Sequence, residues 1–163
     1  MKYQIRQKIF TFADNFTIKD DEDRDQFIVR GRFFTIGDKL SIEDLEGNEL
    51  AYIEQKIFRF LPEYNIYRGG KQLANVKKEF TLFKSRFNIQ STMGSYTMEG
   101  NIWAHEFQIL KDNKEVAWIS KKWLSFSDTY LAEIDDKEDQ AFMLALVIVI
   151  DQVLHDNRKN NNN

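Results

Sequence analysis

From Tyr3 to Ile134 apolar and polar residues change over in short runs, and then the pattern breaks. "AFMLALVIVI", from Ala141 to Ile150, has no polar side chain. The runs before it are aromatic and β-branched with partial period-2 alternation, which marks strands. They are "IRQKIFTF", "FIVRGRFF", "KLSIEDL", "ELAYIEQKIFRF", "YNIYR", "EFTLF", "RFNIQ", "YTMEG", "WAHEFQIL", "EVAWISKKWLSF" and "TYLAEI". Turn signals, "LEGNE", "RGGKQ", "STMGS" and "KDNKE", separate them. Short strands so spaced predict an all-β sandwich or barrel.

The ten-residue run is too short for a membrane span, which needs about 20 apolar residues, and Asp151 follows it. It predicts a helix over 136–156, with Asp135 or Asp136 as N-cap and acids in the first turn. Because its central turns are apolar all round, protein must surround it. Asp151 is expected near the mouth of whatever encloses the helix, with water or a basic partner, and His155 lies one turn further on.

One hairpin recurs. "SIEDLEGNELAYIEQK", "YNIYRGGKQLANVKK" and "FQILKDNKEVAWISKK" each end on Ala-x-Ile/Val: Ala51/Ile53, Ala74/Val76 and Ala117/Ile119. A longer echo relates "FTI" at Phe16, "FIVRG" and "LSI" at Leu40 to "FNI" at Phe87, "YTMEG" and "FQI" at Phe107, at offsets of about 70 residues that fall in order. It reads as two pseudo-equivalent halves of about six strands. A barrel of about twelve strands leaves a lumen its own side chains do not fill, and an apolar helix would fill it. A two-sheet sandwich with a covering helix stays open.

The ordered set "QKIFTFADNFTI", "VRGRFFTIGDKLSIEDLEGNELAYIEQK", "LPEYNIY", "ANVKKEFTLF", "EGNIWAHEF", "VAWISKKWLSFSDTYLAEI" and "MLALVIVID" resembles the LURP-one-related family, in particular its small bacterial members, over nearly the whole chain. The resemblance implies a fold similar to the Tubby C-terminal domain and to phospholipid scramblases: a closed antiparallel barrel of about twelve strands around a central hydrophobic C-terminal helix. Tubby-like domains bind phosphoinositide headgroups and scramblase relatives associate with membranes. A shared fold is weak warrant for shared function.

Composition narrows the classes. The chain has 163 residues and no cysteine, which excludes a disulfide framework and thiolate zinc sites. The expected organisation is one domain over 1–157 and a polar, disordered tail over 158–163. Its formal net charge of −3 does not point to nucleic acid. No signal peptide is read in the first residues, so the expected setting is the cytoplasm, peripheral at the membrane if lipid is the ligand. No cofactor is implied. No catalytic constellation stands out: His105 beside Glu106 would point to opposite faces of a strand, and "RGGK" at Arg68 reads as a hairpin turn. "DDEDRD" offers oxygen ligands for calcium from Asp20, Asp21, Asp23 and Asp25, but lacks the EF-hand glycine and closing glutamate.

Charge is uneven along the chain. From Asp14 to Glu54 there are 12 acids and 5 bases; from Gln55 to Asn88 there are 8 bases and 2 acids. Lys56, Arg68, Lys71, Lys77, Lys78, Lys84 and Arg86, with Lys121 and Lys122, are therefore the candidate residues for an anionic phospholipid headgroup. The ordinary alternative is a solvated strand face. The leading expectation is a non-enzymatic binding module for such a headgroup or for a protein partner. The opposed one is a scramblase-like protein whose helix enters the bilayer.

Overall fold

A computed structural model describes residues 1–6, 15–31, 37–82, 84–101, 106–124 and 127–161, by backbone alone for 121–124, 127–128 and 154–161. Twelve strands pair antiparallel with their neighbours in sequence. They are β1 (Lys2–Arg6), β2 (Phe16–Asp20), β3 (Asp25–Gly31), β4 (Lys39–Glu43), β5 (Glu49–Gln55), β6 (Glu63–Arg68), β7 (Lys71–Lys78), β8 (Ser85–Ser91), β9 (Gly94–Asn101), β10 (Glu106–Lys111), β11 (Lys114–Leu124) and β12 (Ser127–Ile134). β1 pairs with both β2 and β12, which closes the barrel and leaves no edge. The sandwich alternative falls away.

One end of the barrel, the turn end, carries the tight hairpins. At residues 69–70 and 112–113 two consecutive positive φ angles, in Gly69–Gly70 and Asp112–Asn113, give the reversal that two-residue hairpins favour. "RGGK" is thus a turn, as its composition implies. Register shifts at Ile18/Lys19, Ile42/Glu43, Ile66/Tyr67 and Ile109/Leu110 all fall beside these turns, where bulges add the local twist a closing sheet needs. The opposite end, the loop end, carries residues 56–62 and 79–84.

The helix α1 (Gln140–Asn161) enters from the turn end. Every residue from 141 to 151 is buried, as are inward-facing Ile18, Val29, Ile42, Ile53, Ile66, Ile89, Met98, Phe107 and Ile119 around it. The apolar stretch is apolar all round because strands face it on every side. The three Ala-x-Ile/Val pairs all point inward, and their small alanines leave room for the helix. The sequence echo falls on strands six apart. Ile18, Val29, Ile42 and Ala51 on β2–β5 correspond to Ile89, Met98, Ile109 and Ala117 on β8–β11, and all eight are buried.

The helix starts four residues later than the acidic stretch predicts. Asp135 is not its cap but forms a turn, accepting from the Lys137 and Glu138 N–H groups. The N-cap is Asp139: its carboxylate accepts from the Phe142 N–H at 2.9 Å and its carbonyl from the Met143 N–H. Arg68, at the end of β6, donates to both Asp139 oxygens at 2.7 and 2.9 Å. On the other side Lys111 contacts both Glu138 oxygens, the Tyr96 hydroxyl donates to Glu138 at 2.7 Å, and the Tyr96 ring packs edge-on against Phe142. The Met1 amino group bonds Asp136 and the Ile134 carbonyl. The helix entrance is therefore tied to β1, β6, β9 and β10. Its far end runs as helix to Asn161, beyond the expected stop at 156 and through most of the tail read as disordered. Asp151 is buried, and the His155 side chain lies outside the described residues.

Two outcomes follow from this packing. A methyl group on Gly100 would overlap the Glu106 carbonyl oxygen and the Phe107 ring, so Gly100→Ala destabilises by about 1–3 kcal/mol, read as a lowered denaturant midpoint. Asp139→Ala costs about 1–2 kcal/mol as a lost cap. Arg68→Ala then costs less in the Asp139→Ala background than alone, which a double-mutant cycle measures.

Candidate functional site

The candidate basic residues divide between the two ends of the barrel. Arg68 and Lys71 flank the β6–β7 turn at the turn end. Arg68 is engaged in holding the helix cap, so its guanidinium serves the fold. Lys56, Lys77, Lys78, Lys84 and Arg86 gather at the loop end, joined by Arg59. Adjacency follows from the register: Lys77 pairs with Glu63 on one side and Asn88 on the other. The Lys56 N–H bonds the Glu63 carbonyl, and the Lys78 N–H bonds the Pro62 carbonyl. Lys121 and Lys122 sit on β11 toward the same end, three strands beyond β8; their side chains lie outside the described residues, as does His105.

A groove of about 520 Å³ opens on the outer wall here, lined by Leu61, Glu63, Asn75, Lys77, Lys78, Glu79, Phe80, Asn88 and Gln90. Its floor is polar because alternate residues of β7 and β8 point outward: Asn75 and Lys77, then Asn88 and Gln90. Glu63 anchors one side. Its carboxylate accepts from Asn75 at 2.8 Å and meets Lys56 at 3.2 Å and Arg59 at 3.4 Å. Burial alone would raise the Glu63 carboxyl, but the Asn75 hydrogen bond and the two cations hold it below its usual range. Asn75 also donates to Asn65, which donates to the Tyr67 hydroxyl, so the amides form a fixed ladder along the wall.

The cations are unequally satisfied. Arg86 lies 3.6 Å from Glu79. Among the described residues Lys77, Lys78 and Lys84 take part in no ion pair. Lys78 is half-buried, and burial pushes its ammonium below the ordinary lysine value, as expected for a cation short of counter-charge. Around the connections at 56–62 and 79–84 six bases stand near Glu63 and Glu79, with Glu99 opposite Arg86 on β9.

The calcium candidates sit at the opposite, turn end. There the Asp20 carboxylate accepts from the Glu22 and Arg24 N–H groups, the Arg24 side chain and Gln26. Lys19 pairs with Asp23 and Asp25. The acids spread around protein donors instead of converging, and no metal-holding group of three acids or histidines occurs among the described residues.

Two segments read as strand from their aromatics are irregular. "KIFRF" beyond Gln55 and "EFTL" after Lys78 leave the sheet, and Phe58, Phe60, Phe80 and Leu82 are exposed. An aromatic in a short apolar run reads as core, so composition gave no signal for these positions. Phe83 lies outside the described residues.

The model of the LURP-one-related family matches residues 1–151. The uncharacterized protein YxjI of Bacillus subtilis (strain 168) is 39% identical over 151 residues, 93% of this chain and 92% of that protein. A crystal structure of an Arabidopsis thaliana protein superposes with a TM-score of 0.68 at 18% identity, covering 93% of this chain and 91% of that one. That likeness is one of fold.

Glu63→Gln is expected to lose about 1–2 kcal/mol at neutral pH, because charge-assisted hydrogen bonds are replaced by weaker ones. The folded carboxyl titrates below its ordinary value. Its contribution is therefore complete above about pH 4.3 and is lost as pH falls through the lower folded value. Urea unfolding at pH 7 and again below the carboxylate range should show the gap between wild type and variant closing.

Proposed function

The chain belongs to the LURP-one-related family, and we propose that it is a non-enzymatic binding module whose loop end takes an anionic phospholipid headgroup. The observation that supports this reading most is that Lys77 and Lys78 line the groove with Glu63 and Glu79, while Lys56, Arg59, Lys84 and Arg86 lie on or beside the connections that flank it. Phosphate satisfies the exposed Lys77, which projects from the outer face of β7. The Asn88 and Gln90 amides suit the hydroxyls and ester oxygens beside it. A basic residue near an anionic membrane contributes about 1 kcal/mol.

The acids of the turn end, Asp20–Asp25 among them, give the barrel a charge axis that turns the loop end toward an anionic surface. The scramblase-like alternative asks the helix to enter the bilayer. Its apolar faces are enclosed by the barrel from 141 to 151, and no helix among the described residues is long and apolar enough to cross a membrane. Both observations favour docking by the loop end over insertion of the helix.

Vesicle sedimentation tests the proposal. Binding is expected to phosphatidylcholine vesicles containing phosphatidylglycerol, not to phosphatidylcholine alone. It should weaken as salt rises to about 0.15 M, where the Debye length is about 8 Å. Lys77→Glu with Lys84→Glu should lower affinity by more than about a hundredfold. Absence of binding at low salt overturns the headgroup reading and turns the search toward a protein partner.

A further inference from the structure

Eight large apolar side chains are exposed among the described residues, and five of them, Ile57, Phe58, Phe60, Phe80 and Leu82, lie on the two neighbouring connections at the loop end. Single exposed apolar residues need no explanation, whereas a cluster does. Phe58 and Phe60 are 94% and 96% exposed, Phe80 and Leu82 75% and 79%. These side chains stand out in solvent and do not lie over the barrel wall. Phe58 also holds a φ of 58°, a left-handed conformation uncommon for a bulky residue. The chain accepts local strain there while the ring gains almost no contact in return.

Bases alternate with these apolar residues. Arg59 lies between Phe58 and Phe60, Lys56 precedes Ile57, and Lys84 and Arg86 follow Leu82. Leu61 and Phe80 border the groove itself. We infer that residues 57–60 and 80–82 are an insertion edge that buries its rings in the interfacial layer of an anionic bilayer while the basic collar stays at the phosphates. The inference rests on the headgroup reading and adds a second, apolar part to the same contact.

Charge selects this occupant. A second copy docked through the same edge would bring two lysine- and arginine-bearing edges together, and like charges across an interface oppose association. A rigid protein partner would need a pocket shaped to each ring. A fluid interface needs none, and aromatic rings settle at headgroup depth. Lysine and arginine stems extend along apolar surface while their charges stay in the phosphate layer. Penetration at such interfaces is about 5–10 Å, a depth suited to loop tips and not to a whole barrel.

The chain has no cysteine, so one introduced thiol reports one position. A polarity-sensitive fluorophore is placed on Phe60→Cys and, as a control, on Glu46→Cys in an exposed turn-end position. With phosphatidylcholine/phosphatidylglycerol vesicles, the Phe60 probe should shift to the blue and be quenched by lipids spin-labelled near the headgroup, while the Glu46 probe does neither. Phe58→Ser with Phe60→Ser should lower vesicle affinity by about tenfold for each ring, with an unchanged melting temperature because both rings are solvent-exposed. The part of binding that survives high salt should vanish in that double variant. Vesicle binding with a water-like Phe60 probe overturns insertion and leaves the headgroup reading standing. No vesicle binding overturns both. Loss of a concentration-dependent dimer in the double variant, without vesicle binding, assigns the edge to a second copy instead.

Discussion

A helix with no polar face has no stable place in water, and this requirement organises the molecule. Residues 141–150 remain buried only if strands stand on every side of them. Twelve strands make a lumen wide enough for a helix about 10–12 Å across. The inward positions of those strands are then committed to isoleucine, valine, alanine and aromatics. A narrower barrel would expel the helix, and an unfilled one would leave a void that close-packed interiors do not tolerate. Closure of the sheet and burial of the helix are one event.

That commitment leaves the two ends of the barrel free to differ. At the turn end, polar residues hold the helix entrance: Asp139 with Arg68, Glu138 with Lys111 and Tyr96, and Asp136 with the Met1 amino group. The charges at the helix entrance are matched within the chain. At the loop end the connections at 56–62 and 79–84 are longer, and their cations outnumber their acids. One end ties down the helix, and the other carries exposed apolar tips beside cations.

Sequence pattern made the architecture legible because core strands and an enclosed helix have strong periodic signals. The echo between residues near Phe16–Ala51 and those near Phe87–Ala117 maps onto strands six apart because both halves meet the same helix. The helix start was less legible. Asp135 and Asp136 read as caps from the sequence, whereas the Phe142 N–H and the position of Arg68 across the barrel single out Asp139. The site was half legible. Charge counts located the basic segment, but one-dimensional spacing placed Arg68 and Lys71 together with Lys77 and Lys84, which the antiparallel fold sends to opposite ends. Phe58, Phe60 and Phe80 were hidden because an exposed phenylalanine and a buried one have the same letter.

The strand pair that closes the barrel joins Lys2 to Glu133 and Ile5 to Tyr130. Every other ladder connects strands adjacent along the chain; this one spans nearly its whole length. Eleven hairpin pairings can form locally, but the seam must wait until both ends of the sheet meet. Loop-closure entropy places that meeting late, and it belongs to the slow, non-local class of folding steps. Until it is made, the β1 and β12 edges and part of the apolar helix face water together. A chain whose seam is still open therefore presents two unpaired edges to another copy of itself.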